Sequence, residues 1–262
     1  MAQSSTSRKA AANLFAALRQ RKALEELPAA CRPESLNDAY EIQDCFVEMI
    51  GSPVGYKIAF TNRDIQERLG VSEPAAGRLI EGWVFDSPAS IDVSRLFRIG
   101  IESEFAFRMA RELPGTAAPF TRDQVTEAVG ALIPAIEIVD TRYVDWTTCG
   151  ALQAIADNVF GSHWVGGNPI AAWRDIDLAS AEVVTSLNGE EAARGSGANV
   201  LDHPLDALTW LANDLASRGL GLRGGQVVTT GSCTNIVMAQ PGDTATADFG
   251  DLGQVSVTLS VP

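Results

Sequence analysis

The chain has 262 residues, of which 46% are hydrophobic and 20% charged, a balance that supports one large domain or a domain with a smaller helical appendage. Its net charge of −13 argues against nucleic acid or an anionic membrane as the main partner, although a local metal ion or lysine can still attract an anionic ligand. Four scattered cysteines (Cys31, Cys45, Cys149 and Cys233) lack disulfide or metal-type spacing and read as reduced thiols of a cytoplasmic protein; no signal peptide is read, and no apolar run is long enough to span a bilayer.

Residues 1–6 are polar and are expected to be disordered, and 7–26 carry good helix formers up to the breaks at Pro28 and Pro33. Ser35 opens a second helix with Asp38 as a capping-box partner, and Gly51 closes it. These two helices are an N-terminal region of residues 1–54, either a cap or subunit contact or simple core packing, ahead of the main domain over 55–262. Gly55 to Phe60 reads as a strand. Lys57 lies within it and either meets an anion and moves protons or snorkels to the surface. Thr61 or Asn62 caps a short helix that Gly70 stops, and 71–90 reads as loop-rich, a lid or a plain surface loop.

The next stretch, Ile99 to Phe107, places Glu102 and Glu104 two apart on a strand, so both lie on one face with Ala106, while Ile101, Ser103, Phe105 and Phe107 take the other. Thr121 to Ala131 reads as a helix leading to a second apolar strand, Ile133 to Val139, with Glu137 in its middle. Three carboxylates without a neighbouring Cys or His suit a hard cation such as Mg2+ or Mn2+; the other reading is of half-exposed strands whose glutamates face water. Arg142 either binds a carboxylate or pairs with Asp140 or Asp145.

Ala151 to Phe160 is helical, with Asp157-Asn158 near its end, and 161–169 reads as a turn-rich passage whose lone His163 is structural. Asn188-Gly189 fits the type I′ turn of a hairpin between 181–187 and 190–194. Pro204 opens a helix that ends at Gly219, and 226–230 is a strand running into Gly231-Ser232-Cys233-Thr234, a loop whose amides and hydroxyls can hold a carboxylate and whose thiol is either reactive or a spacer. Strands over 244–249 and 254–259 close the chain. This is not a regular β-α alternation, which argues against an eight-stranded parallel barrel or a doubly wound sheet and leaves an α+β class.

From Ser35 onward the chain resembles the 2-keto-4-pentenoate (2-hydroxypenta-2,4-dienoate) hydratases and 4-oxalocrotonate decarboxylases of the fumarylacetoacetate hydrolase superfamily. Asp38-Ala39-Tyr40-Glu41-Ile42-Gln43, Gly55-Tyr56-Lys57-Ile58, Glu102-Ser103-Glu104, Pro134-Ala135-Ile136-Glu137, Ala156-Asp157-Asn158, His203-Pro204-Leu205, Thr230-Gly231-Ser232 and Pro241-Gly242-Asp243 carry the likeness in order. It implies a mixed β-roll with an N-terminal helical region. It implies Mg2+ or Mn2+ on Glu102, Glu104 and Glu137, and Lys57 as the catalytic lysine. Thr230, Gly231, Ser232, Asp157 and Arg142 are expected to bind a small 2-hydroxydienoic or 2-oxo acid of aromatic catabolism, in a homo-oligomer.

The implied activity is a metal-dependent hydratase acting through an enolate. Decarboxylation, C–C hydrolysis of the acylpyruvase type and a non-catalytic partner subunit are the alternatives. Departures from the family pattern bear on that choice. Ala75 and Ala76 stand where many hydratases carry Asp and an aromatic residue, Gln153 where many carry an acid, and Val159 and Phe160 where small polar residues are usual. Together they remove polar groups and add apolar bulk, which favours a bulkier substrate, or decarboxylation or tautomerisation without added water.

Overall fold

The computed structural model describes residues 4–261. Helix α1 (Ser5–Gln20) starts where the Ser4 hydroxyl accepts from Ser7 N, and it stops at Arg21, whose backbone is left-handed. It therefore begins before residue 7 and ends well short of residue 26: Ser4 to Thr6 are ordered, and the rest of the segment read as disordered, residues 1–3, lies outside the described residues. Ala10, Ala11, Leu14 and Ala17 form its buried stripe. That stripe packs on α2 (Leu36–Ile50), where Ser35 and Asp38 form the expected capping box and Gly51 is the C-cap.

Strand β1 (Pro53–Ala59) leads to α3 (Arg63–Leu69), which is capped by the Asn62 side chain and ended by left-handed Gly70. The stretch read as loop-rich with short extended pieces, a lid or a plain surface loop, carries three short strands: β2 (Ala75–Ile80), β3 (Val84–Asp86) and β4 (Ala89–Asp92). Pro74, Gly82 and Pro88 frame short extended runs rather than a free loop. Ala76 is fixed from above, its N donating to the Tyr40 hydroxyl and its carbonyl accepting from Gln43 Nε2.

Strands β5 (Gly100–Met109) and β6 (Val129–Val139) are the long central pair, and α4 (Arg122–Ala128) hands over directly to β6, so the strand begins before residue 133. After α5 (Ala151–Ala156) the passage read as turns contains β7 (Gly161–Gly166), which pairs with β6 and with β3. Glycines at both of its ends mimic turn signals; the pairing comes from β6.

Strands β8 (Glu182–Leu187) and β9 (Glu190–Ser196) form the hairpin, with Asn188 and Gly189 both at positive φ. Helix α6 (Pro204–Ser217) and strands β10 (Val227–Ser232), β11 (Val237–Met238), β12 (Thr244–Asp248) and β13 (Gln254–Ser260) complete the fold.

The main sheet runs β2-β1-β10-β5-β6-β7-β3, with β11 also on β5, and the second runs β4-β13-β12-β8-β9. Alternation along β5 separates two environments. Ile101, Ser103, Phe105 and Phe107 are fully buried on the face toward the second layer. There Phe105 packs on Phe249 and Phe107 on Trp173, and the Ser103 hydroxyl bonds that of Thr185. Glu102, Glu104 and Ala106 point to the opposite face, where the sheet curls into a cavity.

Candidate active site

Sheet register assembles the acidic cluster. Glu102 on β5 stands directly opposite Glu137 on β6, and Glu104 follows two residues along the same face. Each of the three offers a carboxylate oxygen, all within 4.8 Å of one another. Lys57 comes from β1, which two strands of the sheet separate from β6, and the curl brings Nζ to 2.7 Å from Glu137 Oε1. Nζ also donates to the Val159 carbonyl at 2.9 Å. An ammonium has three donors, so one N–H is left beyond these two partners. Lys57, Glu104 and Glu137 are each at most 2% exposed.

The lysine stem lies in a slot between two glycines. A Cβ on Gly77, the cross-strand partner of Lys57, would sit 2.8 Å from Lys57 Cγ; one on Gly161 would sit 3.2 Å from its Cδ. The Val159 carbonyl is presented by three successive left-handed residues, Asn158, Val159 and Phe160. Such a run is unfavourable for a β-branched residue. The Asn158 side chain anchors it by accepting from Arg78 N and donating to Arg78 O.

Glu104 Oε2 accepts from the Thr229 hydroxyl and from Gly231 N. Gly231 sits at positive φ, and a Cβ there would fall 2.1 Å from Thr61 Oγ1, so glycine is required. Glu104 Oε1 and Glu137 Oε2 have no hydrogen-bond partner among the described residues, and Glu137 Oε1 meets only the ammonium. Burial raises the Glu104 carboxyl well above the usual range, with Glu137 and Glu102 adding to the shift. Burial likewise raises Glu137, to about 7 despite Lys57, and Glu102. For Lys57, burial pushes downward, but Glu137 and Glu102 outweigh it and hold the amine above its ordinary value. Three carboxylates and one ammonium sum to −2 when ionised. Orphaned oxygens and this charge fit a divalent cation with oxygen ligands.

The site opens into a cavity of about 720 Å3 lined by Lys57, Glu102, Gly231 and Ser232 among others. None of its lining residues comes from the two N-terminal helices, whose buried faces pack in the core.

Three residues expected to bind substrate are engaged elsewhere. The Thr230 hydroxyl donates to the Phe105 carbonyl. Arg142 and Asp157, both essentially unexposed, saturate each other: Arg142 Nε and N donate to the Asp157 carboxylate, and Nη2 donates to its carbonyl. Neither lines the cavity. Arg142 therefore pairs with Asp157, rather than with Asp140 or Asp145, and burial raises the Asp157 carboxyl to about 6 even beside that guanidinium.

Gln153 spans Leu27 N and the Cys149 carbonyl, and it too is away from the cavity, as are Ala75 and Ala76. Val159 and Phe160 do line it. The roles of Thr229, Asn158 and the glycine slot were not apparent from the sequence. Alternation along β10 would have put Thr229 and Gly231 on one face, but only the register with β5 says that the face is that of Glu104.

Residues 85–260 match the C-terminal domain family of fumarylacetoacetate hydrolase. The chain belongs to that family. Among its relatives, the 2-keto-4-pentenoate hydratase of Paraburkholderia xenovorans (strain LB400) is 32% identical over 94% of this chain and 92% of its own length. The 4-oxalocrotonate decarboxylase of Pseudomonas putida is 31% identical over 90% and 88%. The solved structure of 4-oxalocrotonate decarboxylase from Pseudomonas putida G7, complexed with magnesium and adipate, superposes with a TM-score of 0.89 at 27% identity, over 97% of each chain. The expected β-roll of this family is thus the observed fold.

Proposed function

We propose that the protein is a divalent-metal-dependent lyase acting on a 2-hydroxy-2,4-dienoate or related 2-oxo acid, with hydration as the leading reaction. The observation that carries this reading is the register-built cluster of Glu102, Glu104 and Glu137 beside buried Lys57 at the base of a cavity, in a chain similar over nearly its whole length to hydratases and decarboxylases. The three glutamates would hold Mg2+ or Mn2+. When bound, the ion supplies Lewis-acid polarisation of the oxygens of a 2-oxo acid.

The chain's own groups do the rest. Thr229 and Gly231 N orient Glu104. Glu137 and the Val159 carbonyl hold Lys57, whose third N–H faces substrate; it donates to developing negative charge and moves the proton of tautomerisation at Nζ. Gly231 and Ser232 border the substrate space, whereas Thr230, Arg142 and Asp157 hold the backbone outside it. Ketonisation of the dienol makes C4 electrophilic, and hydration follows by addition of water there.

Decarboxylation is the second reading. It needs no water, and the apolar Val159 and Phe160 at the cavity wall favour it. A C–C hydrolase lacks support: His163 packs against Trp83 and Phe85, His203 caps α6, and neither lines the cavity. We also place residues 1–54 as a supporting helical region, 55–262 as the catalytic unit, and the working protein as a cytoplasmic homo-oligomer.

Ultraviolet-monitored turnover of 2-hydroxypenta-2,4-dienoate with Mg2+, against an EDTA control, tests the proposal. Metal-dependent conversion to 4-hydroxy-2-oxopentanoate, lost in Glu104→Gln, is the expected result. Undiminished turnover in that variant would remove the site.

A further inference from the structure

The cavity is much larger than a five-carbon acid needs; its volume is of the kind that holds a drug-sized ligand. Beyond the acidic floor its wall is mixed: Phe60, Ile65, Leu69, Trp146, Phe160 and Ile236 supply its apolar part, beside polar groups such as Asn62, Thr147 and Asn235. Trp146 and Phe160 stack with centroids 5.9 Å apart at 45°, an arrangement that offers a third ring an edge or face.

The cations on the lining are Lys57, Arg68 and Arg98. Lys57 is committed to the acidic cluster. Arg98 donates to the Val144 carbonyl and lies over the Trp146 ring at 6.0 Å. Arg68 is exposed on α3, one turn from Asp64, which also lines the cavity and opposes its charge. A second carboxylate on the substrate would meet no buried, uncommitted cation among the described residues, and it would enter the field of an acidic protein.

We infer that the substrate is a 2-oxo or 2-hydroxydienoic acid whose far end is an uncharged planar or aryl group resting on Trp146 and Phe160, not a dicarboxylic acid. This rests on the proposed function, since it assumes that the 2-oxo acid head sits at the glutamates and Lys57. It makes Trp146 and Phe160 specificity residues that touch only the tail.

Calorimetric binding of three stable compounds to the Mg2+-loaded protein separates the two claims: pyruvate as the bare head, 2-oxo-4-phenylbutanoate with an aryl tail, and 2-oxoadipate with a second carboxylate. The phenyl compound is expected to bind about tenfold or more tighter than 2-oxoadipate. Trp146→Ala is expected to remove most of that advantage while leaving pyruvate within about twofold. Leu69→Arg, which adds a cation to the wall, is expected to raise affinity for 2-oxoadipate.

Equal or tighter binding of 2-oxoadipate by the wild type overturns the inference, as does its loss in Arg68→Ala or Arg98→Ala, which would reveal a carboxylate site. Pyruvate binding that is indifferent to Mg2+ would instead overturn the head-group assignment and with it the proposed function, while the ratio of the two tailed acids still reports on the tail. Binding of none of the three overturns both.

Discussion

A methyl group added at Gly161 would lie 2.8 Å from Asn158 Nδ2, 3.0 Å from the Asn158 carbonyl and 3.2 Å from Lys57 Cδ. Gly161 has an ordinary negative φ, so alanine there acts by crowding and not by backbone strain. Gly161→Ala is expected to leave the fold intact, displace the lysine and lower kcat on the order of 10²-fold, since catalysis falls steeply with small displacements of a reacting group. Steady-state kinetics beside a thermal melt decide it. A large loss of kcat at nearly unchanged KM and melting midpoint supports positioning of Lys57; a parallel collapse of stability would reduce the slot to packing. Cys233 shows the opposite outcome for a residue that looked chemically interesting. It is fully buried, and burial pushes its thiol upward, so it is a packed spacer and not a nucleophile.

At the scale of the element, β7 shows what a strand can impose on a side chain. Its pairing with β6 and β3 seats His163 against the rings of Trp83 and Phe85, with Ser162 Oγ bonded to Nδ1 at 2.8 Å. Burial lowers the imidazole pKa to about 4 from an ordinary value near 6.5. The folded state therefore prefers the neutral ring, while the unfolded chain takes up a proton as soon as pH falls below the ordinary value. His163 contributes stability that is present above about pH 6.5 and lost progressively toward pH 4. At pH 5 the loss is about 2 kcal/mol by the linkage relation. Urea midpoints for wild type and His163→Gln at pH 7.5 and pH 5 measure it. The variant should lose that much less stability over the interval, and equal losses would show that the ring is solvated.

For the whole molecule, the charge that the curled sheet gathers is the dominant electrostatic fact. Three glutamates, Glu104 and Glu137 buried and Glu102 half-buried, face one lysine, so the fold without a cation carries like-charge repulsion at its centre. A divalent ion that binds only the folded chain should stabilise it by about 2.7 kcal/mol at a concentration near 100 times its Kd. Melting curves in Mg2+ and in EDTA test this, with Glu137→Gln as the control that should lose most of the difference. A midpoint indifferent to both would mean that the cluster is neutralised by protons instead.

Much of this arrangement was legible in the sequence because it depends on local chemistry. Alternation put Glu102 and Glu104 on one face; Ser35 with Asp38, Asn62 with Gly70, and Asn188-Gly189 marked their helix ends and turn by side-chain bonding and by φ alone. The acids in apolar strands also announced a buried charge in need of a partner. What the tertiary structure decided was everything that depends on pairing between distant strands: that Glu137 lies across from Glu102, that Thr229 shares the face of Glu104, and that Lys57 reaches Glu137 across two intervening strands. It also paired Arg142 with Asp157 and turned the apparent loops at 75–80 and 161–166 into strands. Side-chain alternation has a period of two residues and says nothing about which strand comes next or how far a sheet bends. Register and curl arise from packing the whole sheet against its second layer, so they exist only once the chain has folded.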